Sequence, residues 1–317
     1  MATFRESVMP KVSVIVPSYQ QGRFLRYTLD SVLSQDFRDL ECLVIDGGST
    51  DETIDVLRSY NDDRLHWVSE KDSGQSDAIN KGLGMASGEF LTYLNSDDLL
   101  LPGAISAVIG AFEPNSQADI IYGDMRFIDA DGTTRQHFEG RPFDLEEALS
   151  GHNPISQPGT FWRRRVTQRI GLMADDMHFC MDLDYWIRAY FDGFQLVYVP
   201  GERSAFRVHD ESKTVARTNG FVNDWNAILG RIERDPSSDA ATKALVRRSR
   251  GAFSFLWARE YWRQGKRQEA VPLLRVVLSA DRRPTHLIGA LLMLIDARTG
   301  ANVSGVVKKV AGTLRGG

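Results

Sequence analysis

The sequence predicts an α/β protein built on a mostly parallel, doubly wound sheet, and three observations carry that expectation. Short apolar runs rich in β-branched residues alternate with helical patterns four times in the first hundred residues, as right-handed strand–helix–strand crossovers require. Carboxylates follow closely on three of those runs, at Asp46, Asp72 and Asp97, and open α/β sheets bind ligands at the carboxyl ends of their strands. Beyond Pro102 the alternation loosens into mixed elements, a common addition to a parallel core.

In chain order, Val12–Pro17 is a β-branched run closed by Pro, hence a central strand and its exit. Phe24, Leu25, Leu29, Val32 and Leu33 then recur at helical spacing within Gly22–Gln35. Glu41–Ile45 reads as a second strand entering the Gly turn and helix N-cap of Asp46–Asp51, with a helix to Tyr60. Arg64–Ser69 is a third strand, and the helix Gln75–Met85 leads into a fourth, Glu89–Leu94, apolar enough to be buried on both faces. That strand ends in Asn95-Ser96-Asp97-Asp98. Two carboxylates about 4 Å apart repel by roughly 4 kcal/mol at an effective dielectric near 20, so Asp97 and Asp98 must diverge or share a cation. The plainer alternative is that Asp98 caps the helix starting near Pro102 and Asp97 is solvated.

Further on, a helix to Phe112 and a strand Asp119–Gly123 are expected, then a hairpin turn at Asp131-Gly132. Ile155–Trp162 reads as a strand, Arg165–Ile170 as a short helix, Asp182–Phe191 as a helix and Gln195–Val199 as a returning strand. From Glu211 onward the pattern is helical: Phe221–Arg234, Ala240–Gln264, Arg267–Ala280, Thr285–Ala297, and a weaker helix before Leu314. The expected organisation is a core over residues 1–210 and a basic helical extension over 211–317.

Composition adds bounds. With 42% hydrophobic and 25% charged residues in 317, the chain is an ordinary globular one. Cys42 and Cys180 form no spaced framework and read as core thiols, with no metal-ligand spacing. Met1–Lys11 lacks the apolar stretch of a secretion signal, and Leu287–Ile295 is about half the roughly 20 residues that cross a bilayer. No spanning segment is expected, and the expected location is the cytoplasm. Neither Gly-x-Gly-x-x-Gly after the first strand nor a Walker Gly-Lys-Ser is present, which argues against a dinucleotide dehydrogenase or a P-loop enzyme. A diphosphate bound at these acidic loops would need a metal in place of a glycine cradle.

Five stretches together resemble family 2 glycosyltransferases of the GT-A fold. They are Val12–Gln20 (VSVIVPSYQ), Leu43–Asp51 (LVIDGGSTD), Asp77–Gly88 (DAINKGLGMASG), Asn95–Asp98 (NSDD) with Pro102, and Met181–Arg188 (MDLDYWIR), in the family's order and approximate spacing. The resemblance covers residues 11–210 and implies inverting transfer of a sugar from a nucleoside diphosphate donor. Position by position, it implies that Pro17, Ser18 and Tyr19 line the base and ribose site, that Asp46 accepts a hydrogen bond from the base, and that Asp72 sits nearby. Asp97 matches the last acid of the family's Asp-x-Asp motif and would coordinate a divalent cation, Mg²⁺ or Mn²⁺, bridging the phosphates. Asn95 stands where the first acid usually lies, and Asp98 would orient the loop or the sugar. Asp182 matches the expected general base, with Met181 replacing the Glu before it. The apolar neighbours Phe179, Met181 and Trp186 should raise its pKa. Without the resemblance, the favoured reading is that Asp182 is an N-cap and Asp184 a first-turn helix-dipole partner. Arg207 is a candidate phosphate partner and His209 a candidate metal ligand on a late loop, while His152 and Gln157 are candidates for the acceptor side. A non-catalytic nucleotide-sugar-binding protein stays open, because of Asn95 and Met181. A nucleotidyltransferase lacks support, since no basic Gly-rich N-terminal loop is present.

The net charge of -4 hides an asymmetry: from Lys243 onward there are 15 Lys or Arg against 4 Asp or Glu, a local +11 that leaves -15 before it. The arginines are interleaved with Phe253, Phe255, Leu256, Trp257 and Trp262. Either this tail lies peripherally on anionic lipid, beside a glycan or lipid-linked acceptor, or its aromatics pack inside a helical subdomain. Nucleic-acid binding is not expected, because no reader motif accompanies the charge.

Overall fold

The computed structural model describes residues 10–210, 212, 218–281 and 283–299. The chain groups into two compact units, one formed by Met1–Phe143 with Pro154–Phe221, the other by Asp144–Asn153 with Val222–Gly317. The second unit thus takes in a segment from the middle of the sequence, where the sequence alone suggests a single division after residue 210.

The first unit holds β1 (Val12–Ser18), α1 (Gly22–Leu33), β2 (Leu40–Asp46), α2 (Thr53–Arg58), β3 (Leu65–Ser69), α3 (Gln75–Met85) and β4 (Phe90–Tyr93). These are followed by β5 (Leu99–Leu100), α4 (Ala104–Phe112), β6 (Ile120–Ile128) and β7 (Thr134–Phe138). After Pro154 come β8 (Phe161–Arg163), α6 (Arg164–Ile170), α7 (Met181–Phe191) and β9 (Leu196–Arg207). The strands form one sheet in the order β3-β2-β1-β4-β8-β6-β9-β5, with β7 paired to β6. β1, β2, β3 and β4 run parallel, while β8 lies antiparallel between β4 and β6. The mixed character expected of the second half is therefore present. The core between sheet and helices is filled by Val12, Val14 and Val16 of β1, Leu25, Leu29 and Val32 of α1, and Ile105 and Val108 of α4. All four residues of β4 are buried, as its composition requires. Cys42 and Cys180 are buried thiols, and Cys180 Sγ donates to the Phe221 carbonyl at 3.9 Å.

Three stretches depart from the sequence expectation. Ile155–Trp162 is not one strand: a 3-10 turn at Gln157–Gly159 precedes β8. Pro158 has no N–H for a ladder, and Ser156 Oγ instead donates to the Gly123 carbonyl at 2.7 Å. β6 and β9 are longer than expected because they pair in parallel through two register shifts. Arg203 Nη1 donates to the carbonyls of Val199 and Gly201, both at 2.7 Å, and so holds the Pro200-Gly201 irregularity inside a continuous strand. The two-residue β5 has no periodicity to reveal it. It is fixed by pairing with Ser204 and Ala205 of β9.

The second unit holds α5 (Leu145–Leu149), most of α8 (Thr218–Arg234), α9 (Ala240–Arg263), α10 (Arg267–Ala280) and α11 (Pro284–Thr299). Phe253 stacks on Trp225 at 4.8 Å and is fully buried, and Tyr261 and Ala258 are buried with it. Arg248 pairs with Glu146 and Arg250 with Glu233. The centre of the aromatic set in the basic tail is therefore interior packing of this unit. The weak helix expected before Leu314 lies outside the described residues. No described helix is long and apolar enough to cross a membrane.

Gly88 leads into β4 where a Cβ would stand 2.6 Å from Ser13 N and 2.7 Å from Val12 C, both backbone atoms that cannot swing aside. Gly88→Ala is expected to destabilise the protein by about 1–3 kcal/mol, read as a lowered denaturant midpoint at unchanged slope.

Candidate active site

The strand order brings the carboxyl ends of β1, β2, β3 and β4 to one edge, where the loops that follow them meet. Above this edge lies a cavity of about 530 Å³. Its wall includes Pro17, Ser18, Tyr19 and Gln21 after β1, Asp72 and Gly74 after β3, and Asn95, Ser96 and Asp97 after β4. Asp182, on the first turn of α7, lines the same cavity beside Tyr93, Phe179 and Met181. Gln157 stands on this wall too. His152 belongs to the other compact unit, where its amide donates to the Glu147 carbonyl.

The loop after β4 is the most constrained part of this wall. Asp98 is buried and does not line the cavity: its carboxylate accepts from Arg207 N at 2.8 Å and from Asn95 Nδ2 at 3.0 Å. Burial, with Asp97 adjacent, pushes the Asp98 carboxyl well up, against those two bonds. Thr28 of α1 places its hydroxyl 2.9 Å from the Ser96 carbonyl and 2.8 Å from that of Asp98. Arg207 is buried too, with Nε donating to the Asp97 carbonyl at 2.8 Å and Nη1 to the carbonyls of Asp129 and Ala130. Its guanidinium lies over Phe24 and Tyr27, 5.0 and 5.7 Å from the ring centres. Arg207 therefore braces the loop from behind and does not line the cavity, where sequence reasoning expects a phosphate contact. Asp98 likewise orients the loop and touches no cavity space.

Asp97 points its carboxylate at His209, with Oδ2 and Nε2 3.0 Å apart, and the His209 ring packs 4.7 Å from Phe24. Asn95 sits in a side-chain chain: Oδ1 accepts from Gln75 Nε2 at 2.6 Å, and Nδ2 donates to Asp98 and, at 3.3 Å, to Gln157 Oε1. An amide at position 95 can donate to the buried Asp98, whereas a carboxylate would add a third like charge to the loop.

On the other side of the cavity, Ser18 Oγ is buried with no protein partner, a position where a polar ligand atom would complete its bonding. Tyr19 is exposed over the opening. Gln20, next to it, has φ of 55°, left-handed for a residue with a Cβ, and is latched to the loop after β2. Its amide donates to Ser49 Oγ at 2.7 Å, Oε1 accepts from the amides of Thr50 and Asp51, and Nε2 donates to Thr50 Oγ1. Asp46 is fully buried, and its carboxylate accepts from Gly48 N, Ser49 N, Ser49 Oγ and Ser69 Oγ. Fully buried with those donors in place, Asp46 shapes the loop and is not part of the cavity wall, where the resemblance implies a contact with a base. Asp72 is the acid exposed to the cavity here. Burial raises its pKa, and Gly74 N donates to it at 2.9 Å.

Asp182 is pushed up to about 6, with burial as the cause, against the first-turn amides of α7. Tyr93 lies beside it at 2% exposure, and burial, Asp182 and Asp98 all raise its phenol. Beyond these two the wall turns apolar, with Met125 and Phe127 of β6, Phe206 of β9, Ile155, Phe179 and Phe221. Phe127 and Phe206 meet edge-to-face at 5.7 Å. Sequence reasoning misses Tyr93 and Gln75, which read as strand core and as a helix start, and it misses Met125, Phe127 and Phe206, which only the long β6–β9 pairing brings to the cavity; Phe179 stands where it is expected, near Asp182.

The sequence profile described as "Glycosyl transferase family 2" matches residues 13–171, half of the chain, and takes in the carboxyl ends of β1, β2, β3 and β4. The chain belongs to this family. A GalNAc(5)-diNAcBac-PP-undecaprenol beta-1,3-glucosyltransferase of Campylobacter jejuni is 34% identical over 146 residues, 45% of this chain and 46% of that protein. The chain thus matches less than half of that relative's length. A PGL/p-HBAD biosynthesis glycosyltransferase of Mycobacterium tuberculosis is 32% identical over 188 residues, 57% of this chain and 70% of that one. Among solved structures, S. aureus TarS 1-349 in complex with UDP-GlcNAc superposes with a TM-score of 0.66 at 18% identity, covering 94% of this chain and 92% of that one. The mannosyltransferase PcManGT from Pyrobaculum calidifontis, in complex with GDP-Man and Mn²⁺, gives 0.60 at 19% identity, covering 94% and 85%. At that identity the likeness establishes the GT-A fold.

Asp46 and Asp72 separate by experiment. Asp46→Ala leaves several donors unpaired and should cost about 3 kcal/mol of stability by denaturant unfolding. Asp72→Ala should cost under about 1 kcal/mol but weaken nucleotide binding, measured by calorimetry with UDP and GDP.

Proposed function

We propose that this family member transfers a sugar, with inversion, from a nucleoside diphosphate donor to an acceptor hydroxyl, with Asp182 as general base. The observation that carries this reading is the presence of Asp182, its pKa raised to about 6, in one cavity with Pro17, Ser18, Tyr19, Asp72 and Asp97. A carboxylate near 6 is still ionised at neutral pH and is a stronger base than an ordinary Asp, the compromise that general-base catalysis favours. Inversion needs the acceptor oxygen on the face opposite the departing diphosphate, and Asp182 would receive its proton as the bond to the sugar forms.

On the donor side, Pro17, Ser18 and Tyr19 would cover the nucleoside, and Asp72 would take the hydrogen bond to the base that Asp46 cannot reach. Asn95 would face the donor, and Asp98 and Arg207 serve it indirectly by fixing the loop that presents Asp97. Asp97 and His209 would hold a divalent cation. The described residues contain no cluster of three or more His, Cys, Asp or Glu suited to a metal. Two converging protein ligands still fit Mg²⁺ or Mn²⁺, which take remaining positions from water and substrate phosphates. Such a cation, when bound, offsets charge on the diphosphate.

The acceptor would enter along the apolar wall beside Asp182. The Campylobacter relative is named for a PP-undecaprenol-linked glycan and the Mycobacterium one for PGL/p-HBAD biosynthesis, which supports a glycan or lipid-linked acceptor and a role in surface glycan synthesis. We place the protein in the cytoplasm, peripheral at the inner face of a membrane.

Asp182→Asn should lower kcat by about 10²–10⁴-fold with donor affinity and melting temperature nearly unchanged. In the wild type, kcat/KM should rise with pH through about 6 and level off above it, because the base acts only when deprotonated. Full activity in Asp182→Asn would overturn the assignment. Asp97→Ala should abolish the extra thermal stabilisation that Mn²⁺ adds to that given by UDP or GDP alone, a readout independent of turnover.

A further inference from the structure

We infer that the outer face of α11 is a membrane-contact surface for anionic lipid. The inference deepens the peripheral membrane placement proposed above by naming the surface that makes the contact, and it does not depend on the transfer reaction. Ile288, Leu291 and Ile295 are 59%, 52% and 39% exposed, although they are large apolar residues at spacings of three and four along one helix. That spacing puts all three on one side of α11, and Arg298, three residues beyond Ile295, continues the same side. The opposite side packs inward through Ala290, Met293 and Asp296, all buried. α11 is thus an amphipathic helix whose second apolar stripe is uncovered.

Charge selects the occupant. From Ala270 to the C-terminus the sequence carries seven Lys or Arg and only two acids, Asp281 and Asp296. Both acids are buried, at 5% and 1% exposure, and Asp281 is engaged by Arg283 and His286. Among the described residues of this stretch, no exposed carboxylate therefore opposes Arg275 and Arg298. Leu278 of α10 is also exposed, one turn beyond Arg275. Glu269, at the start of α10, is the exposed acid on the neighbouring helix, and the two acids beyond it are buried; apolar side chains flanked by Arg275 and Arg298 match the boundary between acyl chains and anionic headgroups. α11 has 16 residues and no described helix is apolar enough to span, so the helix would lie in the plane of the interface.

The aromatic residues that make the basic tail look amphipathic in sequence are not this surface. Phe253 and Tyr261 of α9 are buried, and the exposed apolar stripe falls one helical hairpin later, on residues that lack aromatic rings.

Co-sedimentation of the full chain tests this, using vesicles of phosphatidylcholine with about 30 mol% phosphatidylglycerol against vesicles of phosphatidylcholine alone. The wild type should bind the anionic vesicles and not the neutral ones, and the bound fraction should fall as salt is raised. Ile288→Glu with Leu291→Glu should lower the partition coefficient about tenfold or more, and Arg275→Gln with Arg298→Gln should lower it several-fold. Circular dichroism melts check that both variants stay folded; these positions are exposed, so they should. Failure of the wild type to bind, or equal binding by the variants, overturns the proposal. So does a dimer on light scattering that the glutamate variant dissolves without vesicle binding, which would assign the stripe to a second copy of the chain. Nucleotide binding by the same samples reports on the donor site separately.

Discussion

A buried arginine behind an acidic loop is the constraint on which the carboxyl edge of this sheet depends. Arg207 ends β9, and Asp98 follows β4, more than a hundred residues earlier. Taking a guanidinium out of water is unfavourable unless its donors are satisfied, and here they are met by the carbonyls of Asp97, Asp129 and Ala130. The Arg207 amide bonds to the Asp98 carboxylate, so main chain and side chain of one residue grip both sides of the Asp97–Asp98 peptide. The phenyl ring of Phe24 lies under the guanidinium and against His209. Strand β9, helix α1 and the acidic loop are thereby one mechanical element, and Asp97 is presented by its rigidity.

Much of this was legible in the sequence, and the parts that were not share a cause. The alternation of β1 to β4 with α1 to α3 could be read residue by residue, because each strand is a short β-branched run and each helix repeats its apolar residues every three or four positions. The strand-end acids could be placed on one edge for the same reason. What the sequence did not show is which acid faces outward. Asp46 and Asp72 occupy similar positions after neighbouring strands, yet Asp46 collects four donors from its own turn and from Ser69, while Asp72 keeps an open side. Adjacent Asp97 and Asp98 also divide, one toward His209 and the cavity, the other into the protein. Hydrogen bonds from distant residues settle such choices, and no local pattern encodes them.

The second half of the sheet escaped for a related reason. β5, β8 and the long pairing of β6 with β9 depend on contacts across the sheet, with a 3-10 turn at Pro158 and a bulge at Gly201 that leave weak periodic traces. That pairing nevertheless builds the aromatic end of the cavity, where Phe127 and Phe206 lie side by side in register. Asn95 belongs to the same account. As a departure from the family pattern it looks like a lost ligand, but in the folded chain its amide joins Gln75, Asp98 and Gln157, and it spares the loop a third carboxylate.

The latch at Gln20 bears on how a ligand would be met. Holding a non-glycine residue in a left-handed conformation costs on the order of 1–3 kcal/mol, and here four hydrogen bonds to Ser49, Thr50 and Asp51 hold it. Two loops that leave separate strands are fused into a single rigid lip. Tyr19 consequently stands over the opening before anything arrives, and the disorder that a loose lip would surrender on closing has already been given up when the chain folds.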